Sequence, residues 1–242
     1  MAEHSEFDDW DETVDVLCVG DAPGALAYGI FCNAADLDVL IIESAELDPQ
    51  TRDWLGDMTD GLNGGAPDAR LSVIRAEPVP AKKINDRTRL EPFVGEHLRQ
   101  WSAGCLASPF GVVMSHVPDL ETMRTTEGDS VTAGIVGSYR CDGGPPGPAL
   151  TQWLRERAEG LFAPAEDRLD GLIITDGRIA GVVLNTTDGP RRIGITGGMA
   201  LSPAVAPQPW PDQPEIAGLR VDVAVVGRQA GRFARVELLA PR

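Results

Sequence analysis

The chain has 242 residues, a length that suits one large domain, and a formal net charge of −16. This charge disfavours non-specific binding to nucleic acid and to anionic membranes, because both surfaces are negative. No run approaches the ~20 apolar residues of a membrane span. The acidic N-terminus lacks the pattern of a secretory signal, so a cytoplasmic location is predicted. The four cysteines are widely spaced and form no CxxC pair, so no metal site and no disulfide framework is expected.

The chain is interpreted as an acidic arm followed by one domain. Residues 1–12 contain six Asp or Glu and no Lys or Arg, and they are predicted to form a flexible arm with Trp10 packed onto the body. Residues 13–242 are predicted to be a single domain. Within it, 44–145 is expected to be an irregular insertion, and 169–195 is expected to be a small β-meander.

Residues 14–43 have the pattern of a βαβ unit. An apolar strand over 14–19 runs into Gly20, and a turn of small residues opens a helix. A second apolar strand over 39–42 then ends at Glu43. The two strands are expected to be parallel neighbours, because a crossover of this length requires that arrangement.

The turn after the first strand resembles a dinucleotide-binding fingerprint with substitutions. In G-x-G-x-x-G the glycines make the tight turn, let the backbone approach a pyrophosphate and let the helix pack against the strand. Here the second and third positions hold Ala22 and Ala25, while Pro23 suits a first helical turn. Glu43 is placed to contact the ribose hydroxyls. The residues predicted to bind a cofactor are therefore Gly20, Ala22, Pro23, Gly24, Ala25 and Glu43.

Asp21 brings a negative charge to the loop that would face a pyrophosphate. From Met1 to Thr51 there are thirteen Asp and Glu and no Lys or Arg. A carboxylate about 4–5 Å from a phosphate costs about 1 kcal/mol or more, whereas a helix N-terminus offers roughly half a positive charge. Two interpretations stay open, a functional nucleotide site and an α/β unit that keeps its packing and binds nothing.

The predicted elements of the central range are short. They are a helix over 49–58, a strand over 71–76, a helix over 93–107 and an apolar run over 112–117. The apolar stripe of the second helix is interpreted as core packing. No catalytic residue is assigned, because a lone histidine is more often packed or exposed than catalytic. The remaining candidates are His97, His116, Tyr139 and Arg140.

The C-terminal part is richer in regular patterns. A Gly-Pro segment over 143–148 leads into a helix over 149–162. The Asp176–Gly177 turn predicts a hairpin, the strongest such signal in the chain. Its strands are predicted at 169–175 and 178–185, followed by strands at 191–195, 219–226 and 233–239.

Three blocks of sequence resemble the FAD-dependent oxidoreductases of the fumarate reductase, succinate dehydrogenase flavoprotein and 3-ketosteroid dehydrogenase type. VDVLCVGDAPGALA with IIES looks like the N-terminal FAD fingerprint and its ribose acid. GGPPGPALTQWLRERAEGLF looks like the family's lead into a helix. LDGLIITDGRIAGVVLNTTDGPRRI looks like the hairpin before a strand that ends in A-T-G-G against the flavin. The resemblance implies an α/β, Rossmann-like FAD/NAD(P)-binding fold, with a parallel sheet, helices and a small antiparallel meander.

The departures from the family concern the flavin. Ser202, Pro203 and Ala204 stand where the family has A-T-G-G, and the T-G-G at Thr196–Gly198 is placed in a turn before that strand. The family's substrate-capping domain and C-terminal G-D motif have no counterpart after Leu201. FAD binding is therefore expected to be weak or lost.

Three hypotheses follow, and whether the protein is an enzyme stays open. The first is a degenerate relative of the FAD oxidoreductases, non-catalytic, that acts as an auxiliary subunit in a homo- or hetero-oligomer. The second is an active FAD-dependent dehydrogenase or reductase that completes its site with another chain. The third, a NAD-type domain without redox chemistry, fits Glu43 but not the hairpin.

Overall fold

The computed structural model describes residues 9–43, 49–62, 67–79, 95–116, 118–142, 145–202, 209–228 and 231–240. It is a mixed α/β fold in which strands dominate. The helices are α1 (Pro23–Ala34), α2 (Pro49–Thr59), α3 (Glu96–Leu106) and α4 (Pro146–Ala158). The strands are β1 (Glu12–Val19), β2 (Val39–Ile42), β3 (Val73–Pro78), β4 (Gly111–Met114), β5 (Glu121–Thr125), β6 (Ser130–Arg140), β7 (Arg168–Thr175), β8 (Arg178–Thr186), β9 (Gly189–Leu201), β10 (Arg220–Gly227) and β11 (Phe233–Ala240). In the described ranges no helix has both the length and the apolarity needed to cross a membrane.

The predicted βαβ unit is confirmed. Strands β1 and β2 pair in parallel, from Val16 opposite Val39 to Val19 opposite Ile42. Strand β9 pairs in parallel with the other side of β1. The parallel region is nevertheless smaller than expected, because β4 joins β9 antiparallel and most of the remaining pairings are antiparallel.

Five strands close into a small barrel that the sequence did not predict. The ring runs β10–β6–β5–β3–β11 and returns from β11 to β10. Its apolar interior includes Met123, Val131, Val226 and Leu239. The expectation of an irregular insertion over 44–145 is therefore corrected, since this range supplies three of the five barrel strands.

The predicted antiparallel meander forms from β7, β8 and β9. Asp176 and Gly177 both have positive φ, 52° and 73°, as a tight hairpin turn with matching twist requires. Strand β9 then continues beyond the meander and pairs with β1, with a shift in register near Gly198. The T-G-G at Thr196–Gly198 thus lies within β9 and not in a turn, because two short predicted segments are one continuous strand.

The last residues of the predicted arm are attached to this meander. The Trp10 ring lies over Gly181 and Gly194, where the missing side chains leave room for it. The Arg192 guanidinium stands 5.2 Å from the centre of that ring. The Asp11 N–H donates to the Arg192 carbonyl at 2.9 Å. Residues 1–8 of the predicted arm lie outside the described residues.

Helix α1 lies between the two halves of the fold. Every residue from Pro23 to Ile30 is buried, as expected of a helix that is apolar on all sides. One side packs on β1 and β2, and the other faces α4 and the barrel strands β6, β10 and β11. Two glycines permit this close packing: Gly24 against the backbone of Gly111, and Gly29 against Ile41.

Replacing Gly24 with alanine should destabilise the fold. A Cβ at Gly24 would lie 2.6 Å from the carbonyl carbon of Gly111 and still closer to its oxygen, so backbone would have to move. We expect Gly24→Ala to lower the free energy of unfolding by about 1–3 kcal/mol, the usual cost of overpacking. Chemical denaturation measures the change.

Gly104→Ala is the matched control, because Gly104 is also helical and a Cβ there meets nothing within 4 Å. The free energy of unfolding of the control should rise by about 0.5–1 kcal/mol, because alanine is favoured over glycine within a helix. Equal stability of the two variants would contradict the close approach of α1 and β4.

Candidate functional site

The predicted cofactor-binding residues lie along one edge of the parallel strands. The carboxyl ends of β1, β2 and β9 meet here at the N-terminus of α1. Gly20 turns the chain with φ 103°, which glycine adopts without strain, and its N–H donates to the Ile42 carbonyl at 2.9 Å. The Ser202 N–H donates to the Val19 carbonyl at 3.2 Å. In open α/β sheets this edge is where ligands bind.

The first turn of α1 uses its N–H groups within the protein. Pro23 has no N–H, and the Gly24 N–H donates to the Pro109 carbonyl at 3.2 Å. The Ala25 N–H donates to the Ser202 hydroxyl at 2.8 Å, and that hydroxyl donates to the Gly111 carbonyl at 3.2 Å. Two of the donors that would hold a pyrophosphate at a helix N-terminus are thus already bonded within the protein.

Arg155 of α4 joins the two acids of the site. Its Nη1 lies 3.0 Å from Oδ2 of Asp21, and its Nη2 bonds to Glu43. The guanidinium also lies 5.5 Å from the centre of the Phe162 ring. About a third of each of the Arg155 and Glu43 side chains is exposed, so each ion pair contributes about 0–1 kcal/mol. The main consequence of the two ion pairs is that both carboxylates already have a partner, because the ion pairs themselves add little to the stability of the fold.

In this arrangement the residues do not fit the adenine dinucleotide part of FAD. The helix N–H groups are bonded to Pro109 and Ser202, and Glu43 is bonded to Arg155. A dinucleotide would have to displace these internal bonds, and its phosphates would meet the Asp21 carboxylate. Sequence reasoning identified Asp21 and the replaced motif at Ser202, but it did not foresee that Ser202 caps α1 or that Arg155 pairs with Asp21.

The catalytic candidates of the central range have structural contacts. Tyr139 is buried and packs edge-on against Trp153, with ring centres 5.3 Å apart. Arg140 is exposed, and its Nε lies 3.9 Å from Oδ1 of Asp142. His116 lies just after β4, beside Gly198. His97 lies in the first turn of α3.

The cysteines are poor nucleophiles. All four are free and buried, as expected for small apolar side chains. Burial raises the pKa of Cys32 to about 11, and it also raises the pKa values of Cys18, Cys105 and Cys141. Thiolate, the reactive form, is therefore disfavoured at neutral pH.

No protein-family model and no curated protein matches the chain. Among solved structures it is similar to the 3-ketosteroid-Δ4-(5α)-dehydrogenase of Rhodococcus jostii RHA1, with 19% identity over 81% of this chain and 47% of that one, and a TM-score of 0.37. A flavocytochrome c3 fumarate reductase shares 17% identity over 77% and 33% of the two chains, at a TM-score of 0.34. A myxobacterial chondrochloren halogenase, described as a variant of FAD-dependent halogenases, shares 13% identity over 76% of this chain and 36% of its own, at a TM-score of 0.30. The chain spans less than half the length of each.

A second group of charges is buried beside the barrel. Glu237 and Arg235 follow one another on the same face of β11 and are 5% and 7% exposed. Arg235 donates to Oδ2 of Asp68 at 2.9 Å and to the Arg70 carbonyl. Oε2 of Glu237 has no hydrogen-bond partner. Burial raises the pKa of Glu237, although the positive charges of Arg235 and Arg228 act in the opposite direction.

Glu237→Gln should stabilise the protein increasingly as pH rises. Because the folded-state pKa of Glu237 is raised, the native protein holds this proton more tightly than the unfolded chain does. The wild type keeps its full stability below the ordinary glutamate pKa and loses part of it as pH rises through the folded value. Gln carries no charge, so the variant should avoid this loss. Thermal midpoints measured from pH 4 to pH 8 test the expected divergence.

Glu127→Gln is the control, because Glu127 is exposed in a turn. Its midpoints should follow the wild type at every pH. A constant offset between Glu237→Gln and wild type across this range would contradict the raised pKa.

Proposed function

We propose that the protein is a degenerate, non-catalytic relative of the FAD-dependent oxidoreductases that binds flavin weakly or not at all and acts as an auxiliary subunit. The observation that carries the proposal is that polar groups of the site are already bonded to other groups of the protein. Gly24 and Ala25 donate to protein oxygens, and Glu43 is held by Arg155. The βαβ unit retains its packing role, while the groups that would contact a dinucleotide are used by the fold itself.

The finer fold assignment belongs to the same proposal. We interpret β9, β1, β2 and α1 as what remains of a Rossmann-like FAD/NAD(P)-binding core, with β7 to β9 as its meander. The sequence blocks that carry the resemblance support this interpretation, since β1, α1 and β2 form a βαβ unit and β7 and β8 form a hairpin. Residues 13–242 are proposed to be one domain.

The alternative function is an active FAD-dependent dehydrogenase or reductase that completes its site with another chain. One observation favours it, because Arg155 supplies the positive charge that residues 1–51 lack. If a partner drew Arg155 toward a phosphate, the charge of Asp21 would be less of an obstacle. Glu43 lies at the carboxyl end of β2, where a ribose acid belongs.

The net charge of −16 also bears on the partner. Copies of a strongly acidic chain repel each other, whereas a basic surface on another protein is attracted. Among the described residues, large apolar side chains with relative exposures of 37 to 44% are Ile135, Ile174 and Leu219. A polar interface with a positively charged protein is therefore favoured over an apolar interface between copies.

The unmodified protein should not retain stoichiometric flavin. After incubation with excess FAD and removal of the free cofactor, the visible flavin absorbance should correspond to far less than one FAD per chain. The expected reason is that three internal bonds must break before the dinucleotide can bind. Stoichiometric yellow protein would refute the proposal and favour the alternative.

Substitutions in the loop should partly restore affinity, as the same experiment can show. Asp21→Ser, Ala22→Gly and Ala25→Gly together remove the charge and open the turn. Adding Ser202→Ala should increase FAD affinity further, by about tenfold if one donor is gained. Ser138→Ala added to the triple variant is the matched control, because the Ser138 hydroxyl bonds Asp222 on the barrel.

The protein's association with another chain distinguishes the auxiliary function from the enzymatic alternative. Under the auxiliary proposal, a pull-down from the native host should recover a basic partner, and its release should increase with salt because the contact is polar. Flavin that appears only in the recovered complex, with reductase or dehydrogenase activity, would favour the alternative. A clean monomer in sedimentation at micromolar concentration, with no partner recovered, would contradict the auxiliary role.

A further inference from the structure

A cavity of about 500 Å³ lies on the barrel side of the molecule, away from the edge of β1 and β2. It lies between the segment 68–75 on one side and the segment 213–219 on the other, and it is open to solvent. The volume is in the range of pockets that bind small organic molecules. It shares no lining residue with the candidate cofactor site, so it does not depend on the proposed function.

The two walls of this cavity are held together by a buried side chain. Gln213 is 4% exposed, and its Oε1 accepts the Leu71 N–H at 2.8 Å. Its Nε2 donates to the Leu71 carbonyl at 2.9 Å. This paired bonding fixes the distance between the walls, and a preformed pocket costs less free energy to occupy than one that must form on binding.

The lining combines apolar and charged groups. Leu71 and Ile216 are buried, whereas Leu219 is 37% exposed and offers an apolar surface to a ligand. Four charged side chains also line the cavity: Asp68, Arg70, Arg75 and Glu215. A pocket of this composition suits a molecule with an apolar body and a charged group.

The charge of Arg75 is the one that remains available. Arg70 is 3.0 Å from Glu215, and Asp68 is 2.9 Å from Arg235 behind the wall. Arg75 is exposed, and no carboxylate of the described residues lies within ion-pair distance of its guanidinium. Glu215 and Asp68 are thus each paired with an arginine, whereas Arg75 lines the cavity of a strongly acidic protein without such a partner among the described residues.

We propose that this cavity binds a small organic anion, a carboxylate or a phosphate monoester with an apolar body, and that Arg75 contacts its charged group. Guanidinium forms paired hydrogen bonds with both kinds of anion. Leu219 and Val73 contact the apolar body. Glu215 limits the affinity, because it holds Arg70 in an ion pair and adds negative charge at the rim.

Fluorescence titration with anilinonaphthalene sulfonate, an aromatic anion, tests the proposal on the full chain. The wild type should show saturable binding to one site. Arg75→Gln should weaken this binding about tenfold or more, the effect of one lost charge-assisted hydrogen bond. Glu215→Gln should tighten it severalfold, because Arg70 is then released. Arg178→Gln is the matched control, an exposed arginine on the hairpin, and it should leave binding unchanged.

Displacement of the dye identifies the charged group. Octanoate and octyl phosphate share one alkyl body, and whichever displaces the dye at the lower concentration shows whether carboxylate or phosphate is preferred. Octanol should displace it poorly. The proposal is overturned by non-saturable binding, by equal losses in Arg75→Gln and Arg178→Gln, or by octanol competing as well as the anions. Thermal midpoints of all variants show that each remains folded.

Discussion

The close packing of helix α1 between two systems of strands is the constraint on which the rest of the structure depends. From Pro23 to Ile30 the helix is buried on all sides, with β1 and β2 on one side and the barrel on the other. Such enclosure requires small residues where backbones approach, and Gly24 meets Gly111 at the N-terminal turn. The same approach brings the Pro109 carbonyl and the Ser202 hydroxyl onto the helix donors. The close approach of α1 to its neighbours therefore explains both the dense packing and the loss of free N–H donors for an anion.

Local patterns were sufficient to predict some elements. The alternation of apolar runs and small residues over 14–43 predicted the parallel pair of β1 and β2. The Asp176–Gly177 turn predicted the hairpin of β7 and β8. Both depend on neighbouring residues, which sequence patterns describe well. The barrel was missed because β6 is interrupted by Gly134 and Gly137, and its pairing with β10 contains a shift in register. The alternation that marks a strand is weak there.

The site was only partly predictable for a related reason. Gly20 and Glu43 are close in sequence to the unit that positions them, so their place at the strand ends followed from the βαβ pattern. Arg155 lies 112 residues from Glu43, and Ser202 lies 177 residues from Ala25. Nothing in the local sequence of α4 marks Arg155 as a counter-ion for the first unit. Long-range polar contacts of this kind arise only when the whole chain is folded.

The long strand β9 has a consequence for how the chain is made. Glu12 pairs with Ile193, and β11 joins β3 through Leu238 opposite Val73. At ordinary rates of translation, α1 leaves the ribosome roughly ten seconds or more before the strands that enclose it. During that interval an apolar helix is exposed on the nascent polypeptide. Folding can be completed only after synthesis of β11, so the growing chain should be a client of ribosome-associated chaperones.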